Sequence, residues 1–147
     1  MRNNNNNEPV AGCRAANTVE PLAYWRTFGR PEYDTVRRIL LSCEVGGILA
    51  SDALWRRAIT GDAASSIAIA LTMRIPQTVT MPVDVRMSIL LNAALTGDPA
   101  CALVMGNMLS RMPLGAGHRE RLTRSWVKCE TEFPLVPAWD ARPEDMP

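Results

Sequence analysis

The tripeptide Thr-Gly-Asp occurs twice, as Thr60-Gly61-Asp62 and Thr96-Gly97-Asp98, a spacing of 36 residues. At the same offset Leu54 matches Leu90, Ala58 matches Ala94 and Ala64 matches Ala100. A fixed period in the thirties with small residues at matched places is the mark of stacked helical hairpins, in which each unit buries its apolar face against the next. Within the unit, a glycine after an apolar helical run supplies the left-handed residue that stops a helix. The aspartate that follows can accept a backbone N–H left unpaired at the start of the next helix. Asp62 and Asp98 are therefore expected to be N-caps and not a carboxylate pair with a chemical task.

The apolar periodicity places six helices around these turns. The first is predicted over about residues 31–44, with Pro31 in its first turn and Val36, Ile39, Leu40 and Cys43 as its inward stripe, ended by Gly46-Gly47. The second runs from about 51 to 60, capped by Ser51, with Leu54, Trp55, Ala58 and Ile59 inward. The third covers about 63–74, with Ala64, Ile67, Ala68 and Leu71 inward. The fourth spans about 83–96 and carries Met87, Leu90, Leu91 and Ala94 in register. The fifth follows Asp98 and Pro99 with Ala102, Leu103, Met105, Gly106 and Leu109, where Gly106 implies close approach of a neighbouring backbone. The sixth, about 118–131, carries Leu122, Trp126 and Cys129. Leu22, Tyr24, Trp25 and Phe28 are expected to cap the end of the core. Three parts result: a disordered segment 1–20, an all-helical domain 21–133, and an extended proline-rich tail 134–147, whose Leu135, Val136 and Trp139 lie back along the last helix.

Composition narrows the function classes. A formal charge of +1 gives no global field to draw in nucleic acid or an anionic membrane. Aromatics are 5% of the chain, while Ala, Leu, Ile and Met are plentiful, a profile for close helix packing. Met73, Met87, Met105 and Met108 read as core filler. No apolar run reaches the roughly 18 residues of a membrane span. Residues 1–7 lack the apolar stretch of a signal peptide, so a cytoplasmic protein is expected. Cys13, Cys43, Cys101 and Cys129 have no zinc or redox spacing, and Cys43, Cys101 and Cys129 fall inside apolar helical patterns and read as buried thiols, pairing only if the protein is exported. His118 is the single histidine and stands at a helix start, without the companions of a triad or a metal site. Gly115-Ala116-Gly117 is too short for a phosphate loop and follows no strand. No enzyme, cofactor or metal is expected.

The unit resembles the Sel1-like repeat, a relative of the tetratricopeptide repeat. Ala93-Ala94 precede Gly97 as the family's alanine pair precedes its glycine turn, with Ala58 in the same place before Gly61. Ala63, Ala64 and Ala100 follow the turns, Met105-Gly106 stands at the leucine-glycine pair, and Val79 at the loop valine. The likeness covers about residues 50–130. It departs at the loop glycines, replaced by Pro76 and Thr78, and at the mid-helix alanine, which falls at Arg86. The resemblance implies an all-α αα-hairpin solenoid of about five to seven helices, wound as a right-handed superhelix, whose role is protein–protein interaction as an adaptor or an assembly factor. The first helix of each hairpin would line a concave face, which points to Arg56, Arg86, Asn92 and Arg124 as partner-binding residues. Arg121, Arg124 and Lys128 share one face of the last helix and could meet an acidic partner. The alternative is a small, non-repetitive helical regulator or immunity-type protein with a single target. Homo-oligomerisation is a further expectation, because the ends of a short stack need covering.

Overall fold

A computed structural model describes residues 19–127, and every element below lies in that span. The described residues form helices and turns without a strand. Two 3₁₀ turns, Pro21–Arg26 and Arg30–Glu32, lead into six α-helices. These are α1 (Thr35–Gly46), α2 (Ala53–Ile59), α3 (Ala63–Leu71), α4 (Met81–Leu95), α5 (Pro99–Arg111) and α6 (Ala116–Val127).

Each residue of the repeated tripeptide has its own task. Thr60 Oγ1 donates to the Arg57 carbonyl at 2.8 Å, and Thr96 Oγ1 donates to Ala93 at 2.6 Å. Both threonines thereby occupy carbonyls that a helix end leaves open. Gly61 and Gly97 then turn the chain with φ of 95° and 98°, the only positive values among the described residues. After Gly61, the N–H groups of Gly61 and Asp62 bond back to Ala58 and Arg57, which closes a Schellman motif. Asp62 accepts from the Ser65 N–H at 2.9 Å, and Asp98 from the Cys101 N–H at 2.8 Å. The side-chain and backbone groups of Ser65 hold the Asp62 carboxyl below its ordinary value. Both caps stand as expected.

Other boundaries move for local reasons. Pro31 sits in the second 3₁₀ turn, and α1 starts later, where Asp34 accepts from the Arg37 N–H at 2.8 Å. At α2 the cap is Asp52, not Ser51, accepting from Trp55 at 2.9 Å. α4 begins at Met81 with Pro82 in its first turn, and α3 stops at Leu71.

Packing turns two predicted stripes around. On α1 the buried residues are Leu41 and Val45, while Val36, Ile39, Leu40 and Cys43 face outward. On α3, Ser65, Ser66, Ile69 and Ala70 are buried, whereas Ala64 and Leu71 are exposed. Ser66 can be buried because its hydroxyl donates to the Asp62 carbonyl at 2.8 Å. On α5, Leu103 is exposed, and Cys101, Ala102, Met105 and Leu109 face the core.

α4 is the centre. Val83, Met87, Ile89, Leu90, Leu91, Ala93 and Ala94 are all buried, on every side of the helix. α4 is accordingly surrounded, packing against α1, α2, α3, α5 and the first 3₁₀ turn. α5 packs on α3 and α6 as well, and α6 also touches the second 3₁₀ turn. Gly106 on α5 faces α6: a Cβ there would lie 3.5 Å from Trp126 Cβ and Val127 Cγ2. Tyr24 and Trp25 are buried in the core, with Phe28 half-buried against it. Tyr24–Phe28 and Phe28–Tyr33 make edge-to-face pairs at 5.3 and 6.2 Å. Residues 1–18 of the expected segment 1–20, the end of the predicted sixth helix with Lys128 and Cys129, and the expected tail 134–147 lie outside the described residues, as does Cys13.

Candidate interaction surface

One stripe of α4 is covered by the chain's own N-terminal part. Asp84, Ser88, Asn92 and Leu95 recur along it at spacings of four, four and three. Asp84 accepts from Trp25 Nε1 at 2.8 Å and from Arg26 Nε and Nη2 at 3.0 and 3.2 Å. Its side chain is only 13% exposed. A carboxylate so enclosed needs these three N–H donors to offset its lost hydration. Further along, Ser88 Oγ donates to the Leu22 carbonyl at 3.0 Å, and Arg38 Nη1 donates to the Leu95 carbonyl at 3.2 Å. Asn92 lines a cleft between α1 and α4 of about 290 Å³, with Thr35, Arg38, Ile39, Ser42, Leu95 and Thr96.

The same segment continues onto α6. The Arg30 N–H donates to Ser125 Oγ at 3.0 Å, and His118 Nε2–H donates to the Arg26 carbonyl at 2.6 Å. Arg121 donates to Glu32 Oε2 at 3.1 Å and to the Thr27 carbonyl at 3.2 Å. Glu32 also accepts from the Gly29 N–H at 2.6 Å. That backbone bond first, and the Arg121 guanidinium after it, hold the Glu32 carboxyl below its ordinary value. Arg30 lies over the Trp126 ring, 5.2 Å from its centre. Tyr33 is buried with its hydroxyl donating to the Tyr24 carbonyl at 2.8 Å, and burial raises its pKa.

The sequence-predicted partner residues are thereby separated. Arg121 and Asn92 face the N-terminal segment. Arg124 is exposed and paired with Glu120 along α6. The two border a surface depression of about 420 Å³ together with Pro31, Gly117, Arg121 and Ser125. Arg56 is exposed and folded onto its own helix start, donating to the Asp52 and Ser51 carbonyls at 3.3 Å each. Arg86 alone meets another helix of the stack: its guanidinium lies 5.7 Å from the centre of the Trp55 ring on α2. Its Nε is buried and has no acceptor among the described residues. Lys128 lies outside the described residues.

Sequence reasoning passed over Asp84, Glu32 and the pairing of Trp55 with Arg86. Asp84 sits in the first turn of a helix, where an acidic residue is already explained by the helix dipole, so nothing local marks it as a long-range acceptor. Cys43 is exposed and not buried as expected, because it belongs to the outward stripe of α1. Cys101 is buried, and burial pushes its thiol from 9.0 to about 12.

Among the described residues, no group of three or more His, Cys, Asp and Glu stands close enough to hold a metal ion. No described helix is long and apolar enough to cross a membrane. Comparison with protein-family models, with curated proteins and with solved structures returns no match.

Proposed function

We propose that this chain is a protein–protein interaction module, a short Sel1-like stack of helical hairpins that presents a partner-binding surface. The two Thr-Gly-Asp turns support the stack, as does the order of packing: α2 on α3, α3 on α4, α4 on α5, α5 on α6. In such an array α2, α4 and α6 line the inner face. Residues 19–46 take up the part of that face along α4 and α6, so the open part lies between α2 and α4.

The observation that carries the reading is the Arg86–Trp55 pair on this open part. Trp and Arg are the residue types that dominate binding energy when a partner closes over them. Arg86 is half-buried, and its guanidinium can pair with a carboxylate or carbonyl of a partner. Arg56 on the neighbouring helix adds positive charge, which favours an acidic partner segment. The exposed Cys43 thiol fits a reducing, cytoplasmic setting.

Affinity capture from an extract of cells expressing the chain tests this surface, with Arg86→Glu and Trp55→Ala run in parallel. Each substitution is expected to reduce recovery of a partner by roughly tenfold or more, the effect of about 1.4 kcal/mol at a hot spot. Equal recovery by all three proteins, with unchanged circular dichroism, contradicts it.

A second reading has its own support. The N-terminal turns and α1 close over α4, so the chain also resembles a closed helical bundle that acts as a regulator of one target. A hydrogen-exchange footprint on the captured complex separates the two. Protection along α2 and α4 favours the module, and protection confined to residues 19–46 favours the regulator.

A further inference from the structure

The outward face of α1 remains without a role in the fold. Val36, Ile39 and Leu40 are 64%, 57% and 44% exposed, and Cys43 is exposed beside them. Their spacing of three, one and three puts them on one stripe of a 12-residue helix, about 18 Å long. Leu41 and Val45 already anchor the opposite side in the core, so the outer stripe contributes nothing to holding α1 in place. Such a contiguous apolar patch on a soluble chain marks an interaction site.

We infer that this stripe is the contact between two copies of the chain, which pair through antiparallel α1 helices about a two-fold axis. A two-fold interface requires a self-complementary surface, and this stripe is one. With the axis between Ile39 and Leu40, Ile39 of each copy meets Leu40 of the other, and Val36 meets Cys43. Every layer of the stripe is then apolar on both sides. Charge follows the same symmetry. Arg37 and Glu44 are seven residues apart and share one flank of α1. In an antiparallel pair, equivalent flanks face each other, so Arg37 of each copy stands beside Glu44 of the other, twice. A parallel pair would instead put the two flanks on opposite sides of the seam, so that Arg37 of one copy and Glu44 of the other could not meet. Arg37 already bonds to its own Glu32 carbonyl and stands 3.5 Å from Asp34, but a guanidinium has five N–H groups. Arg38 is turned the other way, toward Tyr33 and Leu95, which leaves no charge in the middle of the stripe.

The contact is one helix long on each side, at the small end of specific interfaces, below about 1,200 Å² in total. The dimer is accordingly a weak one, with dissociation in the micromolar range. It is independent of the Arg86–Trp55 surface, since α1 and α2 are separate faces of the molecule, and the failure of either leaves the other standing.

Sedimentation velocity on the full chain over a hundredfold concentration range tests the dimer, with Ile39→Glu and the control Leu103→Glu. Leu103 is a comparably exposed leucine on α5, away from α1. The unsubstituted chain and Leu103→Glu are expected to shift from monomer to dimer, and Ile39→Glu to stay monomeric with unchanged circular dichroism. A monomer at every concentration, or an Ile39→Glu variant that dimerises as before, overturns the inference. Register is tested by Val36→Cys in a background of Cys13→Ser and Cys129→Ser, oxidised with diamide. Antiparallel pairing predicts a covalent dimer that needs Val36→Cys. A covalent dimer formed equally well by the background protein, through Cys43 alone, overturns the antiparallel arrangement.

Discussion

Thr96, Gly97 and Asp98 show how three adjacent residues divide one task. The threonine hydroxyl bonds the closing turn of α4, the glycine reverses the chain at φ 98°, and the aspartate caps α5. No atom lies within 4 Å of where a Cβ on Gly97 would stand, so its requirement is conformational and not steric. Gly97→Ala is therefore expected to cost about 1–2 kcal/mol through the left-handed backbone alone, and Asp98→Ala about 1 kcal/mol through the lost cap. Urea denaturation monitored by circular dichroism measures both. Cys101, two residues into α5, adds a pH dependence. Its thiol is raised from 9.0 to about 12, chiefly by burial and then by Asp98. In the unfolded chain the thiol ionises near its ordinary value, while in the fold it stays neutral. Its contribution to stability is whole below pH 9 and is lost as the pH rises toward 12. Cys101→Ala is expected to flatten that part of the alkaline limb of stability against pH. An unchanged limb would show that Cys101 is not the group responsible.

The elements were legible in the sequence to different depths, and the difference has a physical cause. The turns at Gly61 and Gly97 and their caps were readable because they depend on residues next to one another. So was α4 as an element, but not its burial: Met87, Leu90, Leu91 and Ala94 were expected inward, and Ile89, Ala93 and the polar stripe of Asp84, Ser88 and Asn92 are buried or half-buried as well. α1 was not, because it carries apolar residues on two faces: Val36, Ile39, Leu40 and Cys43 on one, Leu41 and Val45 on the other. Periodicity detects a stripe but does not say which stripe meets the core, and here the longer one faces out. α3 misled in the opposite sense. Its core face includes Ser65 and Ser66, and the Ser66 hydroxyl is satisfied by a carbonyl of the preceding turn. At α5, Gly106 was expected to mark close approach, and it does face α6. The space is nonetheless sufficient for one methyl group at ordinary contact distance. Gly106→Ala is expected to stabilise the fold by up to about 1 kcal/mol through helix propensity, whereas Gly106→Leu destabilises it. Thermal melts of the two variants check the prediction, and a clear loss with alanine would mean that α5 and α6 lie closer together.

For the whole molecule, the main departure from the sequence reading is where the N-terminal part goes. A short helical array was expected to keep the faces of α4 and α6 free for a partner, with Asn92 and Arg121 on them. Residues 19–46 lie there instead, joined by bonds that bridge from 57 to 95 positions of sequence. Such contacts leave no local trace, which is why Asp84, the acceptor of three of them, was not singled out. Asp84 is the pin between the N-terminal turn and α4. Asp84→Ala is expected to destabilise the chain by about 1–3 kcal/mol, chiefly because it leaves the buried Trp25 indole N–H without its acceptor, while the partly exposed Arg26 guanidinium can turn to water. The most direct test is a double-mutant cycle of Trp25→Phe and Asp84→Ala, followed by denaturant unfolding. If residues 19–46 pack on α4 as described, the two losses are coupled by about 1 kcal/mol or more. Losses that add to within about 0.3 kcal/mol would contradict that packing, and with it the division between a covered and an open face.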